Sequence, residues 1–164
     1  MNRLFFICPE CFIENTIREN FDGEHFFLTS LGLVVDKPSP DYANVLNKMC
    51  ERENIEEICL IQDSQCTFIK ESIRAKHAYK CSENIFLHEL FQDNLHRFSS
   101  KMDIHTIRET LAMVNIEHQM GVLADAPVLA DKIRSGEISL KGFVLNSHTN
   151  ELKEISEEQV ALKA

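Results

Sequence analysis

Two short segments carry residues whose types and spacing are suited to chemistry. The first is Cys8-Pro9-Glu10-Cys11, which places two thiols and a carboxylate directly after the apolar run 4–7. The second is Asp63-Ser64-Gln65-Cys66, in which a carboxylate and a thiol follow the apolar run 58–61. Thiolates and carboxylates bind divalent metals, and a Cys-x-x-Cys pair also supports dithiol redox chemistry. We therefore expect a single site if the fold brings the two segments together.

The elements that must position these segments are strands and helices in alternation. Continuous apolar runs such as 4–7, 25–29 and 58–61 are typical of strands buried on both faces of a parallel sheet. Between the second and third runs, apolar residues recur at helical spacing. The pattern predicts a single α/β domain over residues 1–164, with a mostly parallel sheet flanked by helices. Because parallel strands end at the same edge of a sheet, we expect Cys8 and Cys66 to approach each other.

The second half of the chain predicts further helices and a closing pair of strands. Asp103 and Asp125 each precede a helical pattern, and Gly136 ends the second of these helices. Alternation over 138–144 predicts a fourth strand, and 151–155 predicts a short strand that pairs with it.

Composition and charge narrow the function classes. The chain has 164 residues, of which 44% are hydrophobic and 26% charged, and its formal net charge is −9. A surface this acidic argues against a nucleic-acid partner, because that binding depends on basic patches. No apolar run is long enough to cross a bilayer, and Pro9 ends the first run too early for a signal peptide. We predict a cytoplasmic protein with reduced cysteines, in which Cys50 and Cys59 belong to the core.

The order of these features resembles that of the β-class carbonic anhydrases. In that family one strand ends in Cys-x-Asp-x-Arg and a later strand ends in His-x-x-Cys. Cys8-Pro9-Glu10 stands at the place of the first motif, and the segment from Asp63 to Cys66 stands at the place of the second. The similarity covers nearly the whole chain, because other stretches resemble the family's turn, helices and closing strands: 27–32, 39–61, 115–128, 135–144 and 149–152.

The resemblance implies a zinc site, a homodimer or a multiple of dimers, and the reversible hydration of carbon dioxide to bicarbonate. Cys8 and Cys66 match the two thiolate ligands, while Asp63 replaces the histidine ligand. The expected metal ligands are therefore Cys8, Asp63 and Cys66. The expected catalytic residues are Asp63 and Glu10, which replaces the family's aspartate. Phe12 stands where the motif has an arginine. Because a carboxylate ligand makes zinc a weaker Lewis acid than an imidazole does, the resemblance predicts an impaired or inactive site.

Several alternatives stay open at this stage. Cys8 and Cys11 can form a dithiol redox pair, and these two residues together with Cys66 can form a three-thiolate zinc site. The cysteines can also be unligated, in a family member that serves as a binding or structural oligomer. Asp63 can act as the N-cap of the helix that follows. The seven histidines show no ligand spacing, and 88–92 lacks the second histidine of a zincin motif.

Overall fold

The computed structural model describes residues 1–35, 40–74, 81–127 and 129–155. Within these ranges a single sheet has the strand order β2-β1-β3-β4-β5. The first four strands pair in parallel, and β5 pairs antiparallel with β4. This arrangement confirms the predicted α/β class. The strands are β1 (Asn2–Ile7), β2 (Glu24–Thr29), β3 (Glu57–Asp63), β4 (Ser139–Asn146) and β5 (Glu151–Glu154).

Helices connect the parallel strands, as this pairing requires. They are α1 (Glu14–Asn20), α2 (Pro40–Arg52), α3 (Thr67–Ser72), α4 (Ser82–Asp93), α5 (Ile104–Ala124) and α6 (Leu129–Arg134). In the described part of the chain, no helix has both the length and the apolarity of a membrane span. Four parts of the predicted domain lie outside the described residues: 36–39, 75–80, 128 and 156–164. Positions 39 and 128 belong to the stretches that carry the resemblance.

The sheet is covered on both faces, because successive side chains of a strand point to opposite sides. Phe5 and Ile7 of β1 pack with Ile17 of α1 on one face, whereas Leu4 and Phe6 face the core beneath the longer helices. The central strand β3 is buried along its whole length. Cys50 and Cys59 are both buried, as predicted.

Helix α5 lies close to the sheet at Gly142 of β4. A Cβ atom at this position would lie 2.4 Å from Ile116 Cγ2 and 2.8 Å from Met120 Sδ, both on α5. The missing side chain therefore lets the helix approach the strand, and this approach brings polar residues of α5 to the carboxyl edge of the sheet.

The amino edge of the sheet is closed by a buried ion cluster. Glu57 is 3% exposed and accepts hydrogen bonds from Arg3 Nε at 2.7 Å and Ser139 Oγ at 3.1 Å. Lys141 Nζ lies 3.0 Å from the second carboxylate oxygen. Burial raises the pKa of Glu57, but the hydrogen bonds from Arg3 and Lys141 outweigh it and hold the pKa below its ordinary value. The opposite edge holds the predicted site.

Candidate metal centre

Three thiols converge at the carboxyl edge of the sheet. Cys8 follows β1, Cys66 precedes α3, and Cys11 ends a single 3-10 turn that spans Pro9–Cys11. Their sulfur atoms all lie within 4.8 Å of one another. The Sγ atoms of Cys8 and Cys66, which are 58 residues apart in the chain, are separated by 3.8 Å. The predicted meeting of Cys8 and Cys66 is therefore confirmed.

The 3-10 turn folds Cys11 back toward Cys8. Pro9 suits the start of the turn because its ring fixes φ near the helical value. The amide of Cys11 donates to the carbonyl of Cys8 at 3.2 Å, which closes the turn. Phe12 then ends it with a left-handed φ of 50° and leaves its ring 82% exposed. Both cysteines of the Cys-x-x-Cys segment thus contribute to one site.

The spacing and chemistry of the three thiols fit a zinc ion. Four ligands placed tetrahedrally about 2.3 Å from zinc are about 3.8 Å apart, which is the separation of the Cys8 and Cys66 sulfur atoms. Cys8 and Cys66 are buried, whereas Cys11 is partly exposed, so the cluster has one side toward solvent. Thiolate is also a preferred ligand of zinc and of softer ions. These three residues would therefore hold the metal.

Hydrogen bonds stabilise the thiolate form of Cys8. Bonds from the thiols of Cys11 and Cys66, and from the amides of Glu10 and Gly32, lower the pKa of Cys8 to about 3 despite its burial. The Gly32 amide lies 3.2 Å from the sulfur. The pKa of Cys11 is raised by its hydrogen bonds to Cys66 and Cys8 and by burial. For Cys66, the bond with Cys11 lowers the pKa, but the bond to Cys8 and burial outweigh it and raise the pKa to about 12.

A buried amide network holds the turn that carries Gly32. Asn115 Nδ2 of α5 donates to the Gly32 carbonyl at 3.1 Å and to Gln62 Oε1 at 3.0 Å. Gln119 donates to Asn115 Oδ1 and accepts from the Val35 amide, both at 3.0 Å. Gly32 has a φ of 63°, a value that glycine adopts without strain. Sequence reasoning missed this network, although an Asn and a Gln four residues apart in an apolar helix were an available signal.

Solved carbonic anhydrase structures match this chain over nearly its whole length. A tetrameric β-carbonic anhydrase from Sordaria macrospora matches with a TM-score of 0.80 and 15% identity, over 94% of this chain and 80% of that one. The enzyme CafA from Aspergillus fumigatus matches with a TM-score of 0.77 and 15% identity, over 96% and 78%. The Coccomyxa enzyme, solved with acetazolamide, matches with a TM-score of 0.75 and 17% identity, over 93% and 71%.

The chain has the β-carbonic anhydrase fold. No protein-family model and no curated protein sequence matches it. At these low identities the likeness to the solved structures establishes the fold alone. The chemistry of the site therefore depends on the residues of this chain.

The two carboxylates predicted to act in the site, Asp63 and Glu10, differ in burial within this β-carbonic anhydrase fold. Asp63 is 4% exposed, and its Oδ1 accepts from the amides of Gln65 at 2.9 Å and Ser147 at 3.2 Å. Asp63 does not belong to the group of close ligand atoms. Glu10 is exposed, within the turn between the two cysteines. Ligation by Asp63 and catalysis by either carboxylate stay predictions.

The alternative in which Asp63 caps α3 is wrong. The N-cap residue of that helix is Cys66, whose side chain makes no capping bond. The Asp63 carboxylate does accept a hydrogen bond from a nearby amide, but this amide belongs to Gln65, which lies before the helix. Through its bonds from the amides of Gln65 and Ser147, Asp63 instead connects the turn before Cys66 with the turn after β4.

A groove along α5 is lined by residues other than the three cysteines. It has a volume of about 830 Å³ and is lined by Val35, Phe86, His118 and the turn 125–127, among others. None of its lining residues is a cysteine. The groove is therefore not part of the three-thiol cluster.

Proposed function

We propose that this chain is a β-carbonic-anhydrase-like zinc protein in which Cys8, Cys11 and Cys66 hold the metal and carbon dioxide hydration is impaired or lost. The observation that carries the proposal is the convergence of three thiols at the carboxyl edge of a sheet with this fold. The similar solved structures are β-carbonic anhydrases. Reversible hydration of carbon dioxide to bicarbonate is therefore the reaction that the site would inherit.

The ligand set is the reason to expect impairment. Bound zinc would supply a Lewis acid that lowers the pKa of water enough to provide hydroxide near neutral pH. Three thiolates give a divalent ion one net negative charge, whereas two thiolates and an imidazole leave it neutral. The thiolates of Cys8, Cys11 and Cys66 would thus weaken the Lewis acid, and hydration would require a higher pH.

The two carboxylates and Phe12 extend this argument. We propose that Glu10 exchanges protons with solvent, since it is exposed between two of the thiols. A direct role for Asp63 as a ligand or proton carrier would have to use its second oxygen, because Oδ1 already accepts from two amides. Phe12 provides no cation at the position where the resembling motif has an arginine. The site would therefore lack the charge that balances the carboxylate in that motif.

Zinc analysis and stopped-flow hydration test this function. Zinc-loaded protein should contain about one zinc per chain and should hydrate carbon dioxide slowly even at alkaline pH. The Cys8→Ser variant should lose the metal, whereas Cys81→Ser, which removes a thiol outside the cluster, should retain it. Turnover equal to that of an active β-carbonic anhydrase measured in parallel would contradict impairment, and zinc-free protein after loading would contradict the metal site.

We further propose that the protein is a cytoplasmic homo-oligomer that binds no nucleic acid. The similar enzyme from Sordaria macrospora is tetrameric, and the net charge of −9 disfavours a phosphate backbone as partner. Size-exclusion chromatography with light scattering should give a dimer or a multiple of dimers. A monomer at micromolar concentration would contradict this part of the proposal, and so would tight binding to DNA or RNA at physiological salt.

A dithiol redox protein is the second candidate function. The hydrogen bonds that stabilise the Cys8 thiolate favour it, because a thiolate beside a second thiol is the reactive arrangement in thiol–disulfide exchange. Here Cys11 is the partly exposed partner. Titration of metal-free protein against glutathione buffers would show a reversible Cys8–Cys11 disulfide if this function holds. Stable zinc occupancy in glutathione buffer would favour the first proposal.

A further inference from the structure

The donor atoms of the cysteine cluster are three sulfurs. Within the described ranges of the chain, no histidine, aspartate or glutamate joins the ligand atoms that lie within 4.8 Å of one another. The Asp63 carboxylate, three residues before Cys66, is engaged by backbone amides through Oδ1. A tetrahedral ion must therefore take its fourth ligand from outside the cluster. An ion that forms three bonds would be satisfied by the cluster alone.

The surroundings of the sulfur atoms favour a soft ion. Cys8 and Cys66 are buried in the same apolar cluster as Leu33 and Ile69. Hard cations such as magnesium and calcium need several oxygen ligands, which the three side chains do not offer. Soft ions bind thiolates in preference to oxygen. The amide of Gly32, which donates to Cys8 Sγ at 3.2 Å, would also help to disperse the thiolate charge.

Access to the cluster is through Cys11. This residue is partly exposed, whereas the other two cysteines are buried. It lies at the end of the 3-10 turn, beside a Phe12 ring that extends into solvent. An incoming ion can therefore meet Cys11 first and then the two sulfur atoms beneath it.

We infer that the cluster binds trivalent thiophilic ions through Cys8, Cys11 and Cys66, with arsenous acid as the simplest probe. The step is a ligand exchange in which three As–S bonds form while three As–O bonds break. The thiol protons of Cys11 and Cys66, with one proton from solvent for the Cys8 thiolate, convert the three departing hydroxides to water. Three water molecules leave, and arsenic stays in its trivalent state, so no oxidant or reductant takes part. The inference rests on the proposed metal site, because it uses the same three sulfur atoms.

Two arsenic compounds that need different numbers of thiols test the inference. Arsenite uses three thiols, whereas phenylarsine oxide uses two. Full-length, metal-free protein is titrated with each compound and followed by native mass spectrometry. The protein with its natural sequence should gain one arsenic from arsenite and lose three hydrogens.

The cysteine variants then count the thiols that bind. Cys11→Ser should lose arsenite affinity by more than about 100-fold, since changes next to metal ligands alone cost about 10–100-fold. It should still bind phenylarsine oxide through Cys8 and Cys66. Cys81→Ser is the matched control and should bind both compounds like the unmodified chain.

Equal arsenite affinity in Cys11→Ser and the unmodified chain, or no arsenite binding at all, would overturn the inference. Zinc titration of the same samples separates this result from the proposed function. Zinc binding without arsenite binding refutes only the inference. Arsenite binding without zinc binding supports the inference and refutes only the zinc protein. Failure of both, in protein with a native circular dichroism spectrum, refutes both.

Discussion

The two edges of the sheet differ in how their ionisable side chains are paired. At the amino edge, the buried Glu57 carboxylate is surrounded by Arg3, Lys141 and Ser139. At the carboxyl edge, the sulfur atoms of Cys8, Cys11 and Cys66 meet one another, and the Cys8 sulfur also accepts from backbone amides. The first group neutralises its anion with cations from the chain itself. The second group brings three thiols together, and all three would be thiolates at once only when a metal ion is bound.

This difference separates a structural cluster from a binding site. Removing one member of a satisfied ion cluster should reduce the free energy of unfolding, because the remaining charges lose their partners. Removing one thiol should mainly reduce ion affinity, because the contacts given for the three sulfur atoms are with one another and with the Gly32 amide rather than with a lysine or arginine. The following changes test whether the two edges divide stability and binding in this way.

The largest effect on stability is expected from Glu57→Ala. This change leaves the mostly buried Arg3 without its carboxylate, whereas Lys141 is 40% exposed and stays hydrated, so the free energy of unfolding should fall by about 1.5–3 kcal/mol. Urea denaturation measures the effect. Glu56→Ala, at an exposed neighbouring carboxylate, is the control and should cost less than about 1 kcal/mol. A small effect of Glu57→Ala on stability would contradict the assignment of stability to the amino edge. A loss of zinc binding in this variant, with the fold retained, would contradict the assignment of binding to the carboxyl edge alone.

Cys8→Ser should have the largest effect on binding. It removes the sulfur that accepts from both neighbouring thiols and from Gly32, so zinc affinity should fall by more than about 100-fold. Competition with a chromophoric chelator measures the affinity. Cys59→Ser changes a buried thiol on the other face of the sheet and should leave the zinc affinity unchanged. Similar affinities in the two variants would show that Cys8 is not a ligand.

Gly32→Ala should weaken zinc binding by about 10–100-fold, because it displaces the amide that donates to Cys8. A Cβ atom there would lie 3.1 Å from Leu87 Cδ1, in a backbone conformation with φ of 63°. Gly136→Ala is the matched control, since Gly136 has a φ of 76° but open space around it. Both variants should lose about 1–2 kcal/mol of stability from the left-handed backbone. Equal zinc affinities in both would contradict a role for the Gly32 amide.

The smallest expected effect is a pH dependence of stability that comes from Glu57. Because its pKa is lower in the folded protein than its ordinary value of 4.5, the unfolded chain binds the proton first. Its contribution is complete above that value and is lost as the pH falls through the folded pKa. Denaturation of metal-free protein between neutral and acidic pH should show this loss, and Glu57→Gln should flatten the slope. An unchanged slope would assign the pH dependence to other groups.

The sequence predicted the sheet and the meeting of its two strand ends. Continuous apolar runs identified the parallel strands, and their shared edge placed Cys8 near Cys66. The choice between Cys11 and Asp63 could not be made in the same way, because each is three residues from one of those cysteines. Local backbone geometry distinguishes them: the 3-10 turn brings Cys11 back to Cys8, whereas two amides hold the Asp63 carboxylate. The spacing of Asn115 and Gln119 signals a buried polar pair, but the bond from Asn115 to Gly32 joins residues 83 positions apart, so a local pattern does not identify the partner.

The long separation of Cys8 and Cys66 in the chain has a consequence for folding. A metal that links their sulfur atoms would close a loop of 58 residues between the first and third strands. By analogy with a disulfide, such a link restricts the unfolded chain and favours the folded state by about 4 kcal/mol in the chain-entropy model. Cys11, three residues from Cys8, adds little to this restriction. The ion would then act as a removable cross-link at the carboxyl ends of two adjacent strands, so that chelation loosens the pairing of β1 with β3 from the carboxyl edge.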